Sequence, residues 1–141
     1  MYNLNRFLEA QEKNYGTALS EIRSGQKRSH WIWYIFPQAR GLGFSYTSEF
    51  YGIDGLAEAK AYIGNRLLRE RLVEASEALL ALEQSDAGYV MGYPDDLKLR
   101  SSMTLFAEAA PEMDVFQRVL DKFFGGEKDQ KTLDLLASFL T

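Results

Sequence analysis

Two stretches of this sequence put chemically capable side chains beside apolar ones in patterns that a plain amphipathic helix does not need. The first runs Lys27-Arg28-Ser29-His30-Trp31-Ile32-Trp33-Tyr34-Ile35-Phe36-Pro37-Gln38. Two cations and the single histidine stand just before six consecutive apolar or aromatic residues. Such a run cannot keep to one helix face, so the segment is expected to be buried on most sides, as a short central helix beginning near Ser29. Cations and ring faces at the mouth of a buried element make a pocket for an anionic, planar ligand. The candidate contacts are Lys27, Arg28, Trp31, Trp33 and Gln38. The competing roles are core packing for the rings and a solvated basic turn for the cations. His30 is a candidate base, with a structural hydrogen bond as its competing role.

The second stretch is Asp95-Asp96-Leu97-Lys98-Leu99-Arg100-Ser101-Ser102-Met103-Thr104-Leu105-Phe106. On a helix, Lys98, Ser101 and Ser102 fall on one face at i, i+3 and i+4. Leu99, Met103 and Phe106 take the adjoining, buried face. A lysine with two hydroxyls can hydrogen-bond phosphate, ribose or carboxylate groups, and Arg100 adds a second cation. Asp95 and Asp96 can bind a ribose hydroxyl, position a water, or hold Mg²⁺ weakly together with a ligand's phosphates. Their competing role is ordinary helix capping, worth about 0.5–2 kcal/mol.

The elements that must position these segments are helical. Leu4, Phe7, Leu8, Tyr15, Leu19 and Ile22 keep close to helical spacing, with Asn3 or Asn5 to cap the start and Gly25 the end. Leu68, Leu72, Ala75, Leu79 and Leu82 form the clearest amphipathic stripe. Asp54 offers a cap for a helix through Ala57, Ala61, Tyr62 and Ile63. Met113, Phe116, Leu120 and Phe123 make another helix, stopped by Gly125-Gly126, and Leu133, Leu136, Ala137 and Leu140 make the last. Gly41 to Gly55 reads as a loop with at most a short helical turn. No segment alternates with period two. The expected fold is all-α, a compact multihelical single domain over residues 1–141 without a substantial sheet. Trp31, Trp33, Phe36, Leu72, Leu79, Met103 and Phe106 are expected in its core.

Composition narrows the function classes. Nine Phe, eight Tyr and two Trp in 141 residues supply the apolar mass that a disordered chain lacks. The absence of cysteine removes disulfides, thiolate nucleophiles and sulfur-based zinc sites. With one histidine as well, no transition-metal centre and no bound cofactor are expected. A net charge of −4 gives no general attraction to polyanions, which weighs against nucleic acid as a partner. The longest apolar run is far shorter than the roughly 20 residues a bilayer needs, and the first residues lack an apolar signal core. A cytoplasmic protein with no membrane partner is expected. The glycines after Gln38 are not followed by the Lys-Ser/Thr of a phosphate loop, and Ser101-Ser102 lacks the glycines of a nucleophile elbow.

Those two motifs, together with Phe124-Gly125-Gly126, Thr132-Leu133, Arg6-Phe7, Ala10-Gln11 and Gly41-Leu42-Gly43, resemble the bacterial family called domain of unknown function 1810. The resemblance covers nearly the whole chain. It implies a mainly α-helical fold and transfers no catalytic residue. The name calpastatin is often attached to such proteins. Calpastatin is a long, disordered inhibitor that folds on its target, the opposite of this short, aromatic-rich composition.

The reading that follows is a domain binding an anionic, nucleotide-like or ADP-ribose-like small molecule between the two segments. Lys27, Arg28, Lys98 and Arg100 would hold the anion. Hydrolysis of a glycosidic or phosphoester bond is the reaction to test, with His30, Asp95 or Asp96 handling the proton or water. The alternative is a non-catalytic interaction module. It would dock a protein partner or a second copy through Phe44, Tyr46, Phe50 and Tyr51.

Overall fold

Helix positions follow from where each apolar stripe can be buried. The computed structural model describes residues 2–138. In chain order the helices are α1 (Asn5–Ser24), α2 (Ile32–Ile35), α3 (Tyr46–Phe50), α4 (Gly55–Gly64), α5 (Arg66–Leu80), α6 (Ala87–Met91), α7 (Asp95–Ala109), α8 (Val115–Phe124) and α9 (Gln130–Ser138). Among the described residues the sole strand-like pairing is an isolated parallel bridge between Ala39 and Ile53. The fold is all-α. No helix among these residues is long and apolar enough to cross a membrane.

On α1, Phe7, Ala18, Leu19 and Ile22 face inward. The expected Asn3 or Asn5 cap does not form, because the residue at the cap position is Leu4. Gly25 ends the helix at φ 88°, a left-handed conformation that a residue without Cβ adopts freely. The stripe of α5 buries Leu68, Leu72, Ala75 and Leu79 against α1 and α8. Leu82 lies beyond the end of that helix and is half-buried. Lys122 donates to the carbonyl oxygens of Leu79 and Leu80 at 3.3 and 3.0 Å, satisfying the last turn of α5.

The central helix is α7, not the Trp31–Phe36 segment. Every residue from Ser101 to Ala107 is buried, because α7 packs against α2, α4, α6, α8 and α9 together. The Trp31–Phe36 run makes a single helical turn that starts at Ile32 rather than Ser29. One turn directs Ile32, Ile35 and Phe36 inward together with Trp31, and leaves the intervening positions partly exposed. Trp33, expected in the core, is therefore half-buried. The other core assignments are correct, all six side chains being at most 1% exposed.

The glycine-rich loop is held from below. Arg6 pairs with Glu58 at 2.9 Å, with side chains 6% and 3% exposed, and donates to the carbonyls of Phe50 and Gly52 at 2.8 and 3.0 Å. A Cβ on Gly52 would sit 2.8 Å from Arg40 Cβ and 2.9 Å from the Ser48 carbonyl oxygen, so only glycine fits this approach. Asp54 does not cap α4 with its side chain. Instead Glu58 reaches back to accept from the Asp54 amide at 2.6 Å. Gly125 stops α8 at φ 62° as expected. On α9, Leu136 is buried, and Leu140 lies outside the described residues.

Candidate functional site

The chain between α1 and α2 is fastened to Glu21, a residue the sequence does not single out. Its carboxylate accepts from the amides of Arg28 and Ser29 at 2.7 and 3.0 Å, from the Ser29 hydroxyl at 2.6 Å and from the Trp31 indole at 2.9 Å. Burial opposes its charge. The Ser29 hydroxyl, the two amides and the indole outweigh that and hold the carboxyl at about 2, against an ordinary 4.5. A carboxyl depressed in the folded state stabilises the fold above its unfolded value, and the contribution is lost as pH falls through the folded one. Glu21→Gln is therefore expected to cost about 1–3 kcal/mol at neutral pH. The gap from wild type, measured by urea unfolding, should shrink from about pH 5 downward. A gap that stays constant down to pH 3 would contradict this.

Asp95 joins the two segments. Its carboxylate lies 2.8 Å from Lys27 Nζ and 3.2 Å from Lys98 Nζ. The Lys27 side chain is 6% exposed, and its ammonium also donates to the Ser29 carbonyl and lies 5.0 Å from the Trp31 ring centre. Lys98 Nζ lies over Trp33, 4.2 Å from the ring centre. The expected capping role is thus absent, since Pro94 occupies the cap position and no side chain caps α7. The two ammonium groups at 2.8 and 3.2 Å repel a divalent cation, which weighs against the weak Mg²⁺ site expected at Asp95. Asp96 has Oδ1 buried without a hydrogen-bond partner.

Beside this triad lies a cleft of about 350 Å³, within the roughly 300–1,000 Å³ typical of small-ligand sites. The first segment contributes Trp33 and Gln38, and the second contributes Lys98, Arg100 and Ser101. Five of the nine expected ligand contacts thus meet in one hollow. Leu42, Gly43, Pro94 and Leu97 form apolar edges, and Asp129 and Lys131 close the far side from the start of α9. Sequence reasoning missed Asp129 and Lys131. The available signal was Asp129 three residues before Thr132, an ordinary helix start. Asp129 Oδ2 accepts from the Thr132 amide at 3.2 Å, the Thr132 hydroxyl at 2.6 Å and the Ser101 hydroxyl at 3.0 Å. Its own amide donates to Thr104 Oγ1 at 2.9 Å. The start of α9 is thereby bolted to the cleft face of α7.

Four expected contacts lie elsewhere. Trp31 is in the core, Ser102 is fully buried with its hydroxyl unpartnered, and Lys27 is buried outside the cleft lining. Arg28 is exposed and outside the lining, as is His30, one of the candidate proton-handling groups. Among the described residues no group of three or more His, Asp or Glu side chains is placed to hold a metal ion. A larger hollow of about 560 Å³ lies around Lys60, Arg69, Glu108 and Glu112. It has no aromatic face, Arg69 already donates to Ile63 and Glu108 already pairs with Lys128. The smaller cleft is the stronger candidate, because its lining still has hydrogen-bonding capacity to offer: Gln38 Nε2 and Arg100 Nε are buried without partners.

A family model described as "Protein of unknown function (DUF1810)" matches residues 1–136, and the chain belongs to that family. The structure is similar to the crystal structure of the conserved hypothetical protein Rv1873 from Mycobacterium tuberculosis, at 45% sequence identity and a TM-score of 0.93. That similarity covers 95% of this chain and 96% of the other. Comparison with curated proteins gives no match.

Proposed function

We propose that this member of the DUF1810 family binds an anionic small molecule carrying a planar group, of nucleotide or ADP-ribose type, in the cleft between the Trp33–Gln38 turn and α7. One observation carries the reading: Lys98, 4.2 Å over the Trp33 ring, places a cation and an aromatic face from two distant segments in one hollow. The lining sets three cations, Lys98, Arg100 and Lys131, against one carboxylate, Asp129. Lys98 is shared with Asp95, and Arg100 lies 3.8 and 3.9 Å from Glu127 and Asp129, which leaves Lys131 as the lining cation free to attract an anion. Phe44 and Tyr93, 94% and 82% exposed, follow and precede the edge residues Gly43 and Pro94 and offer further ring faces near the rim. Hydrolysis of a bound glycosidic or phosphoester bond belongs to the same reading, and Asp129 is the lining carboxylate within reach of a ligand.

Calorimetry with ADP-ribose, AMP and inorganic phosphate tests it, with product analysis for cleavage. Saturable binding of ADP-ribose is expected, weakened by added salt. It should fall about tenfold or more in Trp33→Ala, as stacking on an aromatic side chain is worth roughly 1–3 kcal/mol. Lys131→Ala, at an exposed position that leaves the core untouched, should weaken it as well. No binding by any of the three probes up to about 1 mM would overturn the proposal.

A second reading, docking of a partner or a second copy, is favoured by the loop after the cleft. Tyr46 is 81% exposed and its ring stacks on Phe50 with centres 5.9 Å apart. Concentration-dependent self-association in sedimentation, abolished by Phe44→Ser, would support it without touching the cleft.

A further inference from the structure

Gln38 is only 7% exposed, yet its side-chain Nε2 has no hydrogen-bond acceptor, and the same is true of Arg100 Nε. Both residues line the cleft. Buried donors of this kind nearly always find a partner within the protein or in water. The Gln38 backbone is held, so only rotation of the side chain can bring Nε2 to an acceptor. Its carbonyl accepts from the Ile53 amide at 2.8 Å, and the Arg40 amide donates to the Ile53 carbonyl at 2.8 Å, which clamps the backbone on both sides.

Asp129 presents the opposite polarity. Its Oδ2 takes three hydrogen bonds from Ser101 and Thr132. Its Oδ1 has only Arg100 Nη2 at 3.9 Å, beyond hydrogen-bonding distance. With that side chain 14% exposed and in the lining, Oδ1 retains lone pairs that a ligand can reach. Two buried donors without acceptors and one acceptor without a donor thus belong to residues that line the cleft, where side-chain rotation can turn the donors towards a ligand.

We propose that this pattern recognises a phosphorylated sugar. A phosphoryl oxygen is received by Gln38 Nε2 and Arg100 Nε, and a neighbouring sugar hydroxyl donates to Asp129 Oδ1. This rests on the binding reading above and narrows it: the ribosyl phosphate part of the ligand is read by the polar end of the cleft, and the planar part lies towards Trp33.

Two variants separate this from a structural role. Gln38→Met keeps the length of the side chain and removes the unpartnered donor. The ligand-free protein is expected to melt at the same temperature as wild type or higher, while ADP-ribose affinity falls tenfold or more. Asp129→Asn preserves the cap of α9, since Asn caps as well as Asp, but turns one acceptor into a donor. Wild type is expected to bind ribose 5-phosphate more tightly than inorganic phosphate, and Asp129→Asn to lose that difference. If both variants bind ADP-ribose as wild type does, the sugar-phosphate assignment falls while the cleft still binds. A lower melting temperature for ligand-free Gln38→Met marks the amide as a structural group and overturns the assignment without reference to any ligand. If no probe binds wild type, the assignment falls together with the reading it rests on.

Discussion

Asp95→Asn is expected to lower the unfolding free energy by about 3–5 kcal/mol, the cost of leaving a buried charge without its partner. Lys27 is the charge in question. Its side chain is 6% exposed, and apart from Asp95 it is met only by the Ser29 carbonyl and the Trp31 ring. A neutral amide in place of the carboxylate removes the compensating charge from both lysines. Lys98 feels this less, with a side chain 25% exposed and open to water. Lys98→Met should therefore cost under about 1 kcal/mol, as exposed ion pairs do, while removing the cation that lies over Trp33. Urea unfolding at neutral pH measures both. The decisive control is Lys27→Met combined with Asp95→Asn, which removes the uncompensated charge and should recover much of the loss. If Asp95→Asn lies within about 1 kcal/mol of wild type, Lys27 finds solvent by another route and the triad is not what joins the two segments.

Leu79→Ala is expected to cost about 2–5 kcal/mol, combining lost transfer energy with an unfilled cavity. Leu79 is 0% exposed on the face of α5 that meets α1 and α8. Its carbonyl is also one of those that Lys122 satisfies, at 3.3 Å, so the last turn has little freedom to collapse into the space. Leu67, 42% exposed on the same helix, is the matched control and should change stability by about 0.5 kcal/mol or less on truncation. The midpoint of urea unfolding should shift with an unchanged slope. Equal losses at the two positions would contradict the orientation of α5.

The amphipathic helices were legible because a one-sided stripe has one solution. Leu68, Leu72, Ala75 and Leu79 can be buried together only on a helix, and Gly25 and Gly125 end their helices at positive φ where a side chain is unwelcome. The centre of the molecule was harder to read. On α7 the Leu99, Met103 and Phe106 stripe is visible, but the burial of Ser102, Thr104 and Leu105 on the other faces is not, since a helix buried all round carries apolar and small polar residues without a single inward face. The run Trp31–Phe36 looked like that centre because six apolar residues were counted as equally inward. A single turn could bury only part of them, and Trp33 was left to face the cleft.

The candidate site divides in the same way. Residue type and local spacing were enough to nominate Trp33, Gln38, Lys98, Arg100 and Ser101, because a cation or hydroxyl beside an apolar stripe is visible in the chain itself. What each nominee does depends on contacts across tens of residues, which spacing does not encode. Tertiary packing turned Asp95 from a cap into the anion between Lys27 and Lys98, turned Trp33 rather than Trp31 to the cleft, and left Arg28 and His30 in solvent. It also brought Asp129 and Lys131 to the cleft from the start of α9, where the sequence shows only an ordinary helix beginning. Helices and their inward faces were set locally, by periodicity and capping chemistry. The partner of each buried charge, and hence the shape and polarity of the cleft, was set by which distant residues the packed helices brought within 3 to 4 Å.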